Sequence, residues 1–152
     1  MKKEYLTIVE EYLSSTEYKL IYIEERGSRN NLILEIYVDC KGALNLDELA
    51  DINRDLWGLF ELKGLNRNLI KIVVSSPGIE RPVRFHWQLY KNLGREVEAV
   101  IINEEKVTGV IIKILEDPEP IIILGIGKQK NFSERELLFK DIGELKYKIA
   151  FK

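Results

Sequence analysis

Two adjacent serines, Ser75 and Ser76, open the stretch SSPGIERPVR and invite a catalytic reading. A serine nucleophile needs a neighbouring base, ordinarily histidine, and an acid to orient that base. The chain has one histidine, His86, and the flanks of the serines do not form a G-x-S-x-G elbow. Their hydroxyls are instead expected to bond nearby backbone and fix a turn. Cys40 and His86 together are too few for a zinc site, and a single cysteine excludes an internal disulfide. Cys40 reads as a small residue after a strand, and His86 as a surface or joint residue beside Trp87. Gly125-Ile126-Gly127 lacks the third glycine of a dinucleotide loop and precedes no helix, so it reads as a hairpin turn with GKQK at its tip. Glu116, Asp117 and Glu119 are interrupted by prolines and read as a solvated turn rather than a cation loop. No catalytic residue, cofactor or metal ligand is expected.

What remains in the serine stretch is mechanical and electrostatic. Pro77 and Pro82 each fix a backbone angle, Gly78 permits a positive one, and the prolines bias Ser76 and Arg81 toward extended conformations. Ser75, Ser76, Pro77, Gly78, Glu80 and Pro82 are therefore read as a structural loop that can hold Arg81 and Arg84 in fixed positions. Fixed cations lose less entropy when they grip a phosphate or carboxylate. A plain joint, with Glu80 and Arg81 paired internally, is compatible with the same residues.

Charge sharpens the reading. The formal net charge is -2, but its distribution is uneven. Residues 1–62 carry 7 basic and 13 acidic side chains. Residues 63–95 carry 7 basic (Lys63, Arg67, Lys71, Arg81, Arg84, Lys91 and Arg95) against Glu80 alone, and residues 96–152 carry 9 against 11. Phosphate affinity follows local basic groups and not the chain average. Lys71, Arg81, Arg84, Lys91 and Arg95 are thus the candidate partner- or RNA-binding residues.

The elements that must position them follow from periodicity. Residues 3–13 set Leu6, Val9 and Leu13 on one side, with Tyr5 and Tyr12 flanking, as in a helix weakened after Ser14, Ser15 and Thr16. Tyr18–Glu25 and Leu32–Asp39 are β-branched and aromatic runs joined by RGSRNN, a hairpin. Asn45 can cap a second helix with Glu48 in capping-box position, and Leu49, Ile52, Leu56 and Leu59 recur at its apolar spacing. Lys63-Gly64 ends that helix, and Leu69–Ser75 is a third strand. The order α-β-β-α-β makes a two-layer domain with helices on one face of a three-stranded sheet. A short helix-like turn is expected over Phe85–Leu93. Short strands follow at Arg95–Ile102, Lys106–Leu115, Pro120–Ile126, Asn131–Leu138 and Leu145–Phe151, with a turn at Phe139–Gly143. Such spacing suggests a small β-barrel. The expectation is an α+β protein with domains at 1–82 and 83–152.

The stretch VVSSPGIERPVR resembles the signature of the bacterial ribosome maturation factor RimP family, roughly V-S-S-P-G-L-D-R-P-L. LEIYVDCKGALNLDELADINRDL, LGREVEAV, KVTGVI and FKDI are similar to further family segments, in order, over nearly the whole chain. Ile79 and Glu80 stand where the family has leucine and aspartate, and Gly42-Ala43 where a glycine pair is common. The resemblance implies an SH3/Sm-like C-terminal barrel and a non-enzymatic factor for small (30S) ribosomal subunit assembly. It also implies association with the free, immature subunit and help to late-joining proteins, including the decoding-centre protein numbered twelve.

The reading is then a cytoplasmic, monomeric factor without membrane attachment. Its basic band would face ribosomal RNA, and its barrel would face a basic ribosomal protein. The start MKKEYLTIVEEYL is interrupted by Glu10 and Glu11 and is no signal peptide, and no apolar run reaches the roughly 18 residues of a membrane helix. The alternative is an Sm-like oligomeric RNA chaperone or regulator, which requires a ring.

Overall fold

The computed structural model describes residues 2–127 and 132–149. Lys128, Gln129 and Lys130 of the expected GKQK tip, the start of a strand at Asn131 and the end of the last one at Phe151 lie outside them. The chain forms two compact units that divide between Pro77 and Gly78. No helix among the described residues is long and apolar enough to cross a membrane.

The first unit comprises α1 (Lys2–Leu13), β1 (Lys19–Ser28), β2 (Asn31–Asp39), α2 (Leu46–Leu62) and β3 (Leu69–Ser75). The sheet order is β1-β2-β3, with β1–β2 antiparallel and β2–β3 parallel. Leu32, Leu34, Ile36 and Val38 of β2 alternate into the core against both helices.

Several boundaries and faces differ from the local pattern. In α1 the buried row is Tyr5, Val9 and Leu13, and Leu6 is the flanking residue. The Tyr5 ring meets Phe60 edge-on at 5.1 Å, and its hydroxyl donates to the Leu65 carbonyl at 2.9 Å. That polar tip is satisfied, so the whole ring can be buried. In α2 the fourth buried position is Phe60, with Leu59 only partly covered. The hairpin turn narrows to Arg29-Asn30, because Gly27, at φ +87°, remains in the ladder opposite Leu32. A Cβ there would lie 2.4 Å from the Asn31 carbonyl oxygen.

The helix ends show where their backbone groups go. Ser14, Ser15 and Thr16 donate their hydroxyls to the carbonyls of Glu11, Tyr12 and Leu13, which closes α1. Asn45 Oδ1 accepts from the Asp47 and Glu48 N–H groups at the start of α2. The reciprocal half of the expected capping box is replaced. Asn45 N–H donates to the Tyr18 hydroxyl. At the other end Leu65 N–H reaches Phe60 O and Gly64 N–H reaches Glu61 O, a Schellman arrangement with Gly64 at φ +70°.

The second unit begins with a 3₁₀ segment over His86–Asn92 and continues as β4 (Glu96–Ile101), β5 (Lys106–Leu115), β6 (Ile121–Ile126), β7 (Ser133–Leu138) and β8 (Ile142–Tyr147). The expected turn at Phe139–Gly143 contracts to a 3₁₀ turn at Phe139–Asp141, and the last strand starts three residues earlier than its pattern suggested. The five strands form one antiparallel sheet in the order β7-β6-β5-β4-β8. Val97, Ala99 and Ile101 face its core with Leu89, Ile111, Ile122, Leu124 and Leu145. Gly109 allows β5 and β6 to approach, since a Cβ there would sit 2.8 Å from the Gly125 carbonyl oxygen.

Candidate nucleic-acid interface

The basic band is divided between the two units. In the first, Lys63 caps the end of α2, Arg67 lies in the following turn and Lys71 stands on β3 opposite Ile33. All three side chains are exposed, and none enters an ion pair among the described residues. Ser75 is the last residue of β3 and pairs with Tyr37. Ser75 and Ser76 are half-buried, and the expected bonds from their hydroxyls are not formed among the described residues. Ser75 belongs to the ladder, and the turn falls later, at Gly78–Glu80. Pro77 is buried at the end of the unit. Cys40 is a buried thiol whose Sγ approaches the Gly42 carbonyl at 3.4 Å, as a small residue after a strand should.

In the second unit Gly78 takes φ +63°, a conformation that side chains rarely adopt. Ile79 and Val83 then pack against the core, and Val83 N–H donates to the Leu145 carbonyl at 2.8 Å. These anchors hold the segment between them. Glu80 and Pro82 are exposed, and Arg81 is half-buried with its Nε fully covered. Glu80 enters no ion pair among the described residues, so an internal Glu80–Arg81 tie is not what fixes this loop.

Arg84 is positioned more closely. Its backbone N–H and that of Phe85 both donate to Gln88 Oε1, each at 2.8 Å. Gln88 is the one buried polar side chain among the described residues. Because the Gln88 oxygen accepts both N–H groups, the turn into the 3₁₀ segment is fixed. The Arg84 guanidinium lies over the Phe85 ring at 5.0 Å, and Phe85 stacks on Trp87 at 5.4 Å with planes 9° apart. A guanidinium resting on an aromatic face is held by cation–π attraction as well as by its backbone. Lys91, in the last turn of the 3₁₀ segment, and Arg95 are exposed. Arg95 is clamped through its backbone, its N–H donating to Asn92 and its carbonyl accepting from Ile111.

The remaining chemistry-bearing groups are engaged elsewhere. His86 is hydrogen-bonded to Glu116 and meets Phe139 edge-on, so it is tied to the acidic turn. Burial, with help from the Glu116 carboxylate, pushes the Tyr90 phenol up from its ordinary range. Glu119 pairs with Lys140 at 3.3 Å, so the acidic turn is partly neutralised by the unit itself. No group of three potential metal ligands occurs among the described residues.

The sequence pattern named the arginines but missed Gln88. A glutamine three residues after an aromatic residue in a short turn was the only available trace. Residues 8–80 match the family model described as the RimP N-terminal domain, a stretch that begins within α1 of the first unit and ends within the proline-glycine loop. With the α-β-β-α-β order and the SSPGIERP loop it covers in part, this match identifies the first unit as a domain of the RimP family of ribosome maturation factors.

Proposed function

We propose that this chain is a non-enzymatic maturation factor that binds the immature, free small ribosomal subunit in the cytoplasm. The observation that carries the reading is the family match over residues 8–80. The exposed cations support its RNA-facing part: Lys71 in the first unit, Arg84, Lys91 and Arg95 in the second, with half-buried Arg81 beside them. Each sits on a strand, a clamped turn or a stacked ring, so little ordering is needed on binding. The acidic side chains of the second unit suit a basic ribosomal protein, the decoding-centre protein in the family resemblance.

The second sheet is proposed to curl into an SH3/Sm-like barrel that leaves the β7 edge open. Arg135 on end strand β7 pairs with Glu105 in the β4–β5 turn at 3.0 Å, which supports a sheet curled back on itself. The functional domains are proposed as 1–82 and 83–152. Residues 78–82 are the joint that this division and the compact units assign differently.

The test is a subunit profile of cells with and without the protein. Accumulation of immature small subunits, with large subunits normal, is expected on its removal. An unchanged small-subunit peak would overturn the reading.

A further inference from the structure

The second unit carries a groove of about 470 Å³ that the basic band does not touch. It lies where the two ends of the five-stranded sheet come near each other, with β7 on one side and the end of β4 and start of β8 on the other. Its floor is apolar: Ile101 and Leu137 are buried, Ile142 is half-buried, and Ile102 is 52% exposed. An isoleucine left half in water beside a concavity marks surface that a partner can cover.

The rim has one sign. Glu104, Glu136 and Asp141 are exposed and enter no ion pair among the described residues. The one basic side chain of the groove, Arg135, is already held by Glu105. β7 is also an end strand, hydrogen-bonded to β6 alone within the sheet order. Three features thus coincide: an apolar floor, an acidic rim and a strand edge. RNA phosphate would be repelled from this rim, whereas a cationic extended chain satisfies all three features at once.

We infer that this groove receives an extended, lysine- and arginine-rich peptide segment. Its apolar side chain would cover Ile102, its cations would face Glu104, Glu136 and Asp141, and its backbone would lie along β7. Alternating apolar and basic residues fit, because successive side chains of a strand point to opposite faces. That the segment belongs to a ribosomal protein rests on the function proposed above, but the groove's preference for it does not.

The experiment uses the full chain and a nine-residue synthetic peptide alternating lysine and valine, followed by fluorescence anisotropy at low salt. Its partner probes are the same peptide with glutamate for lysine, and a uridine nonamer. The lysine peptide should bind, and amide hydrogen exchange should slow along Ser133–Leu138. The variant Glu104→Gln/Glu136→Gln/Asp141→Asn should weaken it about tenfold, since exposed charges contribute modestly each. Ile102→Ser, at an exposed position, should weaken it without changing its salt dependence. Undiminished affinity in the folded triple variant would overturn the inference. So would protection confined to the acidic first unit, or binding of the glutamate peptide or the uridine nonamer in this groove. These measurements contain no ribosomal subunit. Their failure would leave the subunit-profile test standing, and a failed profile would leave peptide binding standing.

Discussion

Gln88 accepts the N–H groups of Arg84 and Phe85, and the Arg84 guanidinium then rests on Phe85. A charge seen as one of seven in a basic band is thereby given a direction. If Arg81 and Arg84 grip phosphate, replacing both with alanine should weaken subunit binding and flatten its dependence on log salt by about 1.5 units. A folded double variant with the wild-type slope would exclude them as phosphate contacts. In the first unit Tyr12 donates to Asp55 Oδ2 at 2.6 Å. Burial first, and then the Asp55 bond, pushes its phenol from 10.0 up to about 12. The folded value is raised, so whatever stability this group contributes is present below pH 10 and is lost as the pH climbs toward 12. Ultraviolet titration of the phenols should show a late-ionising tyrosine that disappears in Tyr12→Phe.

At the scale of elements, the glycines of the second sheet separate two kinds of close approach. An added Cβ at Gly109 meets the backbone oxygen of Gly125 at 2.8 Å, which cannot move without parting β5 from β6. An added Cβ at Gly125 meets the ends of the Phe132 and Ile112 side chains, and Phe132 is 51% exposed and able to turn away. Gly109→Ala should therefore destabilise by about 1–3 kcal/mol, and Gly125→Ala by clearly less. Urea unfolding of both variants checks the order. The α2 caps follow the same logic of local rule and tertiary substitution. Asn45 was legible as the N-cap, but the second half of the box is supplied by Tyr18, 27 residues away in sequence. No local pattern can announce a partner from another element.

At the scale of the whole molecule, each unit has its own core, and a monomer and an Sm-like ring make different demands. A ring needs strand edges joined between copies, whereas the peptide inference needs the β7 edge available. Analytical ultracentrifugation should give the mass of one chain across micromolar concentrations, and a stable larger species would favour the ring. The order α-β-β-α-β, the five later strands, the helix stop at Gly64 and the basic band were all readable from the chain alone. These depend on periodicity, glycine and proline geometry, and side-chain charge, which are properties of neighbouring residues. The SSPGIERP loop likewise carried the family resemblance in its wording. Only the tertiary structure decided that Tyr5 and Phe60 are core and Leu6 and Leu59 are not, because burial of an aromatic ring depends on what it meets across the unit. It alone placed the register shift between Leu20 and Tyr22, which lets Leu20 and Ile23, three residues apart, enter the same core. It also gave Arg84 its grip through Gln88 and brought the two ends of the second sheet to one groove. Each of these is settled by pairing between segments distant in sequence, where a one-residue slip or a half-turn reverses the face that a side chain shows.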